Sequence, residues 1–522
     1  MTAAKLDPRD LLDRQLGRVT MYRLVTIVLL ALAAVMIAYT AGGTFTDPFT
    51  VKAELVTLAV LLVASYVSNR ACGLIWHIRP HGESSIITAL LLWFLFWPTT
   101  DGVTLLWLAG GAVLANLSKY ALAWRGRHMF NPAAAGAFLI VVLQHVVNRE
   151  TTVDPTWWAA SKTLLPYVAV GAFLILWRTR RLDLGAVFIV IAGALTVWGF
   201  ASGYDQPFDA ALKTTAYSVA LVFIAGFMLS EPLTLPPRRR QQLIVAAVVA
   251  VVISYPQWIA LLDKTPVNVD GIGVSQQLAL LIGNLLAFAF ARRHGVTFVL
   301  EGSRVLTPET RELTFRAKRP VSFEPGQFAE LTVPHSGVDG RGSRRSFSIS
   351  SPPNAEGRVS FALRVPEDSS SFKKALLALE PGDTVHATGI GGDFLLPSDS
   401  SEPLLMVAGG IGITPFLSQL RHESSRDAVL VYGVSSPDEV PFVEELAGVR
   451  VVLVGPAAPS GLPDSWTYVE APFLSPELIA EAVPDLADRT AYVSGPPAMV
   501  NAVRPGLAKR CKSVKTDYFT GY

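Results

Sequence analysis

The sequence predicts a multi-domain membrane protein: an all-α polytopic bundle of about ten spans, fused to an antiparallel β-barrel and then to a doubly wound α/β domain. Three observations predict it. Residues 21–291 are long apolar runs broken by short polar stretches. Residues 295–396 are short β-rich runs punctuated by Pro and Gly. Residues 403–515 alternate apolar strands with helical stretches. The chain of 522 residues exceeds what one core organises. Only 16% of its residues are charged, against about a quarter in soluble proteins, and the deficit lies in the first half.

A span needs about 20 mostly apolar residues. Ten segments are candidates: 21–39, 50–68, 84–98, 102–122, 131–147, 163–178, 184–200, 214–230, 241–260 and 274–291. Those at 84–98 and 131–147 are short enough to be tilted, re-entrant or broken. With the N-terminus inside, the inner segments (1–20, 69–83, 119–130, 178–183, 231–240 and 292–293) hold 17 Lys and Arg, and the outer ones hold 5. Cytoplasmic loops collect positive charge, so both termini are expected in the cytoplasm and the chain in the cell membrane. A cleavable signal peptide is not expected, because the first apolar run is long and more spans follow it.

The net charge of +2, without a long basic stretch, argues against nucleic acid. Two cysteines, Cys72 and Cys511, exclude a disulfide framework and an all-cysteine zinc or iron–sulfur site within the chain, and no metal site is expected. Haem needs facing histidine pairs within spans, and most of the eight histidines fall elsewhere.

The β-rich runs are VTFVLEGSRVL, RELTFRAK, QFAELTVP, RRSFSIS, RVSFALRV and DTVHATG, six strands that suit a small barrel. The apolar strands LLMVAG, AVLVYGV, RVVLVG and TAYVSG follow. Directly after LLMV comes AGGIGITPF. Gly409, Gly410 and Gly412 would let backbone approach a pyrophosphate, and Thr414 and Pro415 start a helix whose N-terminus faces that charge.

Together with RSFS (Arg345 to Ser348), SSSFKKAL and YVSGPPAMV, this order resembles the ferredoxin–NADP reductase superfamily over residues 295–522. The resemblance implies an FAD-binding β-barrel domain at 293–399 and an NAD(P)-binding α/β domain at 400–522, behind a membrane domain at 1–292. It implies that Arg345 neutralises the FAD pyrophosphate and that Ser348 bonds the flavin N5 edge. Ser346 and Phe347 complete the motif, with Phe347 stacking on the flavin. Arg364 joins the FAD residues, and Ser370 and Ser371 sit where the family opens a helix against the phosphates. Gly495 and Pro496 form the family's turn beside the nicotinamide, with Ser494 in place of its usual cysteine. Phe519 or Tyr522 would cover the flavin face, or the terminal aromatics merely pack on the sheet. The implied catalytic residues are Ser348, Ser494 and Tyr522. Both NADH and NADPH are possible donors; the loop GVSSPDEVPF, with Asp438 and Glu439 and no base, favours NADH.

In the first half, SSIITALLLWFLFWPTT, GRHMFNPAAAGAFLI and FMLSEPLTLPP resemble the family of the B subunit of sodium-pumping NADH:quinone reductase and the D subunit of the Rnf complex, over residues 70–290. This implies a second flavin, FMN or riboflavin, near Arg127, Asn131 and Pro132 and near Phe227–Pro232. TWWAASKTLLP replaces the family's SGAT-like segment, which argues against covalent attachment. The expected function is passage of electrons from cytoplasmic NAD(P)H through FAD to a flavin, a quinone or an extracytoplasmic acceptor. The alternatives are a reductase partner of a membrane oxygenase or desaturase, delivering to a redox protein, and a redox-driven ion transporter.

Overall fold

The computed structural model describes all residues except 1–15, 17–18, 78–79, 81, 125–126, 149–152, 270–271, 292–294, 338, 340–342, 355 and 519–522. The chain divides into two compact units, one built on residues 18–293 and the other on 294–522.

The first unit is helical, and each of the ten apolar segments forms helix. The expected count of spans is corrected, however. Among the described residues, four helices are long and apolar enough to cross a membrane: Met21–Ala41, Val51–Ile75, Gly102–Ala121 and Leu182–Gly203. Two bent pairs bring the number to six at most: Phe208–Ser218 with Leu221–Leu229, bent by 44°, and Arg239–Ile253 with Tyr255–Leu262, bent by 51°. The remaining apolar helices, Gly82–Leu95, Pro132–Asn148, Leu165–Arg178 and Gln276–Ala291, are too short. At 1.5 Å per residue, the 14 residues of Gly82–Leu95 reach about 21 Å, against a hydrocarbon core of about 30 Å. That helix is instead buried from Ala89 to Leu95, and Met21–Ala41, Val51–Ile75 and Pro132–Asn148 pack around it. Apolar character here serves a protein interior as well as lipid contact.

In the second unit, β1 (Val296–Val305), β2 (Thr310–Ala317), β3 (Phe328–Thr332), β4 (Arg344–Ser348), β5 (Arg358–Arg364) and β6 (Thr384–Gly391) form one antiparallel sheet in the order β4-β3-β6-β1-β2-β5. The chain joins the two edges just past β4, where Ser350 N–H donates to Ser360 O at 2.9 Å, so the sheet curls into a barrel. Phe298, Leu300, Leu313, Phe315, Val359 and Phe361 fill its interior.

β7 (Leu404–Gly409), β8 (Ala428–Gly433), β9 (Arg450–Gly455), β10 (Trp466–Glu470), β11 (Thr490–Gly495) and β12 (Ser513–Tyr518) form an all-parallel sheet ordered β10-β9-β8-β7-β11-β12. Both faces are covered: Met406, Leu430 and Leu453 point to one core, and Val407, Val431 and Val452 to the other. Two-sided burial explains why these strands are continuously apolar rather than alternating. The strand order reverses between β7 and β11, which places a crevice at their carboxyl ends.

Candidate active site

That crevice is where the glycine cluster lies. Gly410 has a φ of +52°, and a Cβ there would meet no heavy atom within 4 Å, so backbone is presented bare to whatever fills the crevice. Gly412 serves a different purpose. A Cβ on it would come within 2.4 Å of Ser494 O and 2.7 Å of Gly495 Cα, so its missing side chain lets the turn press against the end of β11. A Cβ on Gly409 would strike Met499 Sδ. The helix Thr414–His422 starts directly behind, with Pro415 in its first turn. Thr414 is buried, and its hydroxyl donates to Ile411 O at 3.1 Å, so it shapes the turn rather than facing the crevice.

Across the crevice, β7 and β11 run in register, Ala408 beside Ser494, and Ser494 in turn lies beside Asp517 of β12. Ser494 is fully buried and its Oγ has no partner among the described residues. A buried hydroxyl without a partner costs free energy. Pro496 caps the helix Pro497–Leu507 that follows Gly495. Burial first, and the carboxylate of Asp393 second, push the Asp517 carboxyl up to about 6.

On the barrel, β4 places Arg345 and Phe347 on one side and Ser346 and Ser348 on the other. Arg345 is buried, its guanidinium lies 5.3 Å from the Phe372 ring centroid, and Asp339 sits 3.6 Å away. Phe347 stacks on the same Phe372 at 5.9 Å with the planes 23° apart. One side of the ring expected to lie on the flavin is thus packed against Phe372. Ser348 is buried and Ser346 exposed. Ser370 caps the helix Ser371–Leu377 through Lys373 N–H. The Ser371 hydroxyl bonds His335 Nε2 and accepts from Asp339 N–H, both at 3.0 Å. Arg364 is turned to Glu309, to which its Nε donates at 2.7 Å. Phe519 and Tyr522 lie outside the described residues.

The barrel and the parallel sheet meet around these groups. Tyr492 O–H donates to Leu395 O at 2.7 Å, Ser418 O–H to Ser351 O at 2.7 Å, and Arg421 to Ser350 O at 3.1 Å. Glu439, one of the two acids of the stretch GVSSPDEVPF after β8, accepts from the hydroxyls of Thr307 and Thr310 and from Glu309 N–H. It is committed to the barrel, which leaves Asp438, exposed in the same loop, free to face solvent or ligand. Sequence reasoning missed Phe372, Asp393 and Asp517. Asp517 was legible only through the β11–β12 register, which no local pattern reveals.

In the helical unit the expected residues do come together. Asn131 Nδ2 donates to Glu231 Oε2 at 3.0 Å, His128 Nε2 lies 2.8 Å from Glu231 Oε1, and Arg127 donates to Pro232 O at 2.8 Å. Pro132 opens the next helix. Asn131, Pro132 and Glu231, with Ser84, Thr88, Phe227 and Ser230, border a cleft that encloses about 50 Å³. Ligand pockets run to about 300–1,000 Å³, so these residues do not fit a flavin ring as they stand. A second cleft, of about 220 Å³, is lined by Phe45, Phe49, Trp157, Trp158 and Tyr217. Among the described residues no cluster of metal-binding side chains occurs.

Residues 406–505 match the family model of the oxidoreductase NAD-binding domain. The reductase component of propane 2-monooxygenase from Mycolicibacterium smegmatis is 27% identical over 226 residues, 40% of this chain and 63% of that protein. The reductase subunit of an aromatic O-demethylase from Amycolatopsis is 29% identical, over 37% of this chain and 59% of that one. The ferredoxin–NAD(+) reductase component of an alkene monooxygenase system from Xanthobacter autotrophicus is also 29% identical, over 41% and 64%. The chain thus spans about three-fifths of the length of these curated relatives. Among solved structures, an Amycolatopsis cytochrome P450 reductase aligns over 43% of this chain and 70% of its own at 25% identity and a TM-score of 0.37. A ferredoxin NADP+ reductase from Neisseria gonorrhoeae aligns over 43% and 98% at 21% identity and a TM-score of 0.36. The match places an oxidoreductase NAD-binding domain on residues 406–505, behind the β-barrel. The curated relatives of this region include the reductase components of two monooxygenase systems and the reductase subunit of an O-demethylase.

Proposed function

We propose that the chain is an NADH-dependent flavoprotein reductase, held at the membrane by its apolar helices, that delivers electrons to a separate redox protein of an oxygenase-type system. The observation that carries this reading is the crevice at the reversal of the parallel sheet, where Gly410 offers bare backbone and Ser494 an unsatisfied buried hydroxyl, with the Arg345–Ser348 strand on the adjoining barrel. The chain's own residues fit both dinucleotides. Gly410 and the helix behind it would receive the NADH pyrophosphate, and Ser494 the nicotinamide side. Arg345 would hold the FAD pyrophosphate, with Ser348 at the ring edge. When bound, FAD converts a two-electron hydride into single electrons. What the protein supplies is a closed, oriented site, tied across its two domains by Tyr492, Ser418 and Arg421.

The donor is NADH because the segments after β8, β9 and β10 (434–449, 456–465 and 471–475) contain no Lys, Arg or His. A 2′-phosphate would find no cation there. With two cysteines the chain cannot ligate an iron–sulfur cluster through cysteine alone, so a one-electron acceptor has to come from outside. A second reading sends electrons into the helical unit toward a quinone, as the resemblance of residues 70–290 implies; the aromatic lining of the second cleft, Phe45, Phe49, Trp157, Trp158 and Tyr217, favours it. Purified full-length protein in nanodiscs, supplied with FAD and NADH, separates the two. Rapid reduction of an added [2Fe–2S] protein, with slow reduction of a short-chain quinone, is expected. The reverse preference would replace the first reading with the second.

A further inference from the structure

We infer that the carboxylate of Asp339 competes with the pyrophosphate of FAD for Arg345, and so sets how tightly the chain holds its flavin. The inference rests on the reading of residues 296–518 as an FAD-loaded reductase module. Arg345 is the cation which that reading assigns to the cofactor. Its side chain is only 6% exposed, and its guanidinium lies over the Phe372 ring at 5.3 Å. A charge taken out of water is costly unless it is paired, so a guanidinium placed here calls for an anion.

In the structure that anion is Asp339. One carboxylate oxygen, Oδ1, lies 3.6 Å from Arg345 Nη2, and the other, Oδ2, accepts from Ser371 N–H at 3.1 Å. The backbone of Asp339 is held at the same place, because its N–H donates to Ser371 Oγ at 3.0 Å. Ser371 Oγ also lies 3.0 Å from His335 Nε2, and His335 Nδ1 lies 2.8 Å from Val333 O. An anion with one oxygen on a guanidinium and another on a backbone N–H has the contacts that a phosphate group seeks. Asp339 therefore takes from Arg345 and Ser371 what the pyrophosphate would take. Two features make it a competitor that can be displaced. Its side chain is 30% exposed, so the carboxylate has water to withdraw into. The 3.6 Å separation from Arg345 is also longer than the 2.7–2.9 Å or so of a close charge-assisted bond, so the pair is loose. A ligand that first has to displace an internal group binds more weakly, in proportion to the fraction of molecules in which the site is open.

The test is a titration of full-length protein, stripped of flavin, with FAD; binding is read from the change in flavin fluorescence and needs no turnover. Asp339→Ala is expected to lower the Kd for FAD about tenfold, the equivalent of one bond to a charged group. Asp339→Asn keeps the shape and an oxygen for Ser371 N–H but loses the charge, and is expected to lower the Kd as well. Arg345→Ala is expected to raise the Kd. Adding Asp339→Ala to it is expected to change the Kd by less than about twofold, since competition requires the guanidinium. An unchanged or higher Kd in either folded Asp339 variant would mean that Asp339 orients Arg345, and overturns the competition while leaving the reductase reading intact. A gain in affinity that persists without Arg345 overturns it equally. A native protein that binds no FAD overturns the reductase reading and the competition with it.

Discussion

Ser494 and Asp517 stand side by side at the carboxyl end of the parallel sheet, a buried hydroxyl without a partner beside a carboxyl that resists ionisation. Burial is the larger cause of that resistance and Asp393 the smaller. Below pH 4, Asp517 is protonated in the folded and unfolded chains alike. Between about 4 and 6, the folded chain keeps a proton that the unfolded chain releases. Above 6 the charge has to be carried in the partly buried site, so stability present in acid is lost as the pH rises. Asp517→Asn keeps the shape and removes the charge. It is expected to stabilise the C-terminal module by roughly 2 kcal/mol at pH 7.5, and by nothing at pH 4. Thermal melts followed by flavin fluorescence at the two pH values check this, and equal midpoints for variant and native protein at pH 7.5 would refute it.

The turn from Gly409 to Thr414 separates two uses of glycine that the sequence presents as one motif. At Gly412 a methyl group meets the backbone of Ser494 and Gly495, which cannot yield. Gly412→Ala is expected to destabilise the module by about 1–3 kcal/mol, the usual cost of overpacking. At Gly410 there is room for a methyl but φ is +52°, so Gly410→Ala carries about 1–2 kcal/mol of backbone strain and also fills the crevice. The expected contrast is a large rise in the KM for NADH for Gly410→Ala, and chiefly lost stability for Gly412→Ala; steady-state kinetics beside urea titrations would show it. The motif itself was legible because a strand, three glycines and a Pro-started helix are encoded within nine residues. What Thr414, Ser371 and Phe347 do was not, because their partners Ile411, His335 and Phe372 are set by the turn and the tertiary fold. The helical half shows the same division. Helix was legible at every apolar segment, and Pro256 marks the bend near 254. Nothing in the residue types at Val219–Ala220 marks the other bend, and hydropathy alone does not distinguish a helix buried in protein from one crossing lipid.

Across the whole molecule, the barrel and the parallel sheet behave as one body through a charged network. Arg304 bonds both Glu312 of the barrel, at 2.9 Å, and Glu445 of the α/β domain, at 2.5 Å. Arg421 lies 3.8 Å from Glu312 and 3.6 Å from Glu445, and its guanidinium also covers Phe442. Despite partial burial, the bond from Arg304 holds the Glu445 carboxyl below its usual range. Single exposed ion pairs contribute little, but a four-member network around a buried glutamate fixes the angle at which the two domains meet. Each domain also has its own packed core, and a chain of this size buries enough surface to fold by itself. Residues 295–522 produced alone are therefore expected to be soluble, to bind FAD, and to reduce ferricyanide with NADH at a kcat within about twofold of the full-length protein. The helical unit would then matter for location and for the acceptor, not for electron entry. Spectra and steady-state rates of the two forms decide it. A fragment that folds and binds FAD yet oxidises NADH tenfold more slowly would mean that the helical unit helps build the entry site.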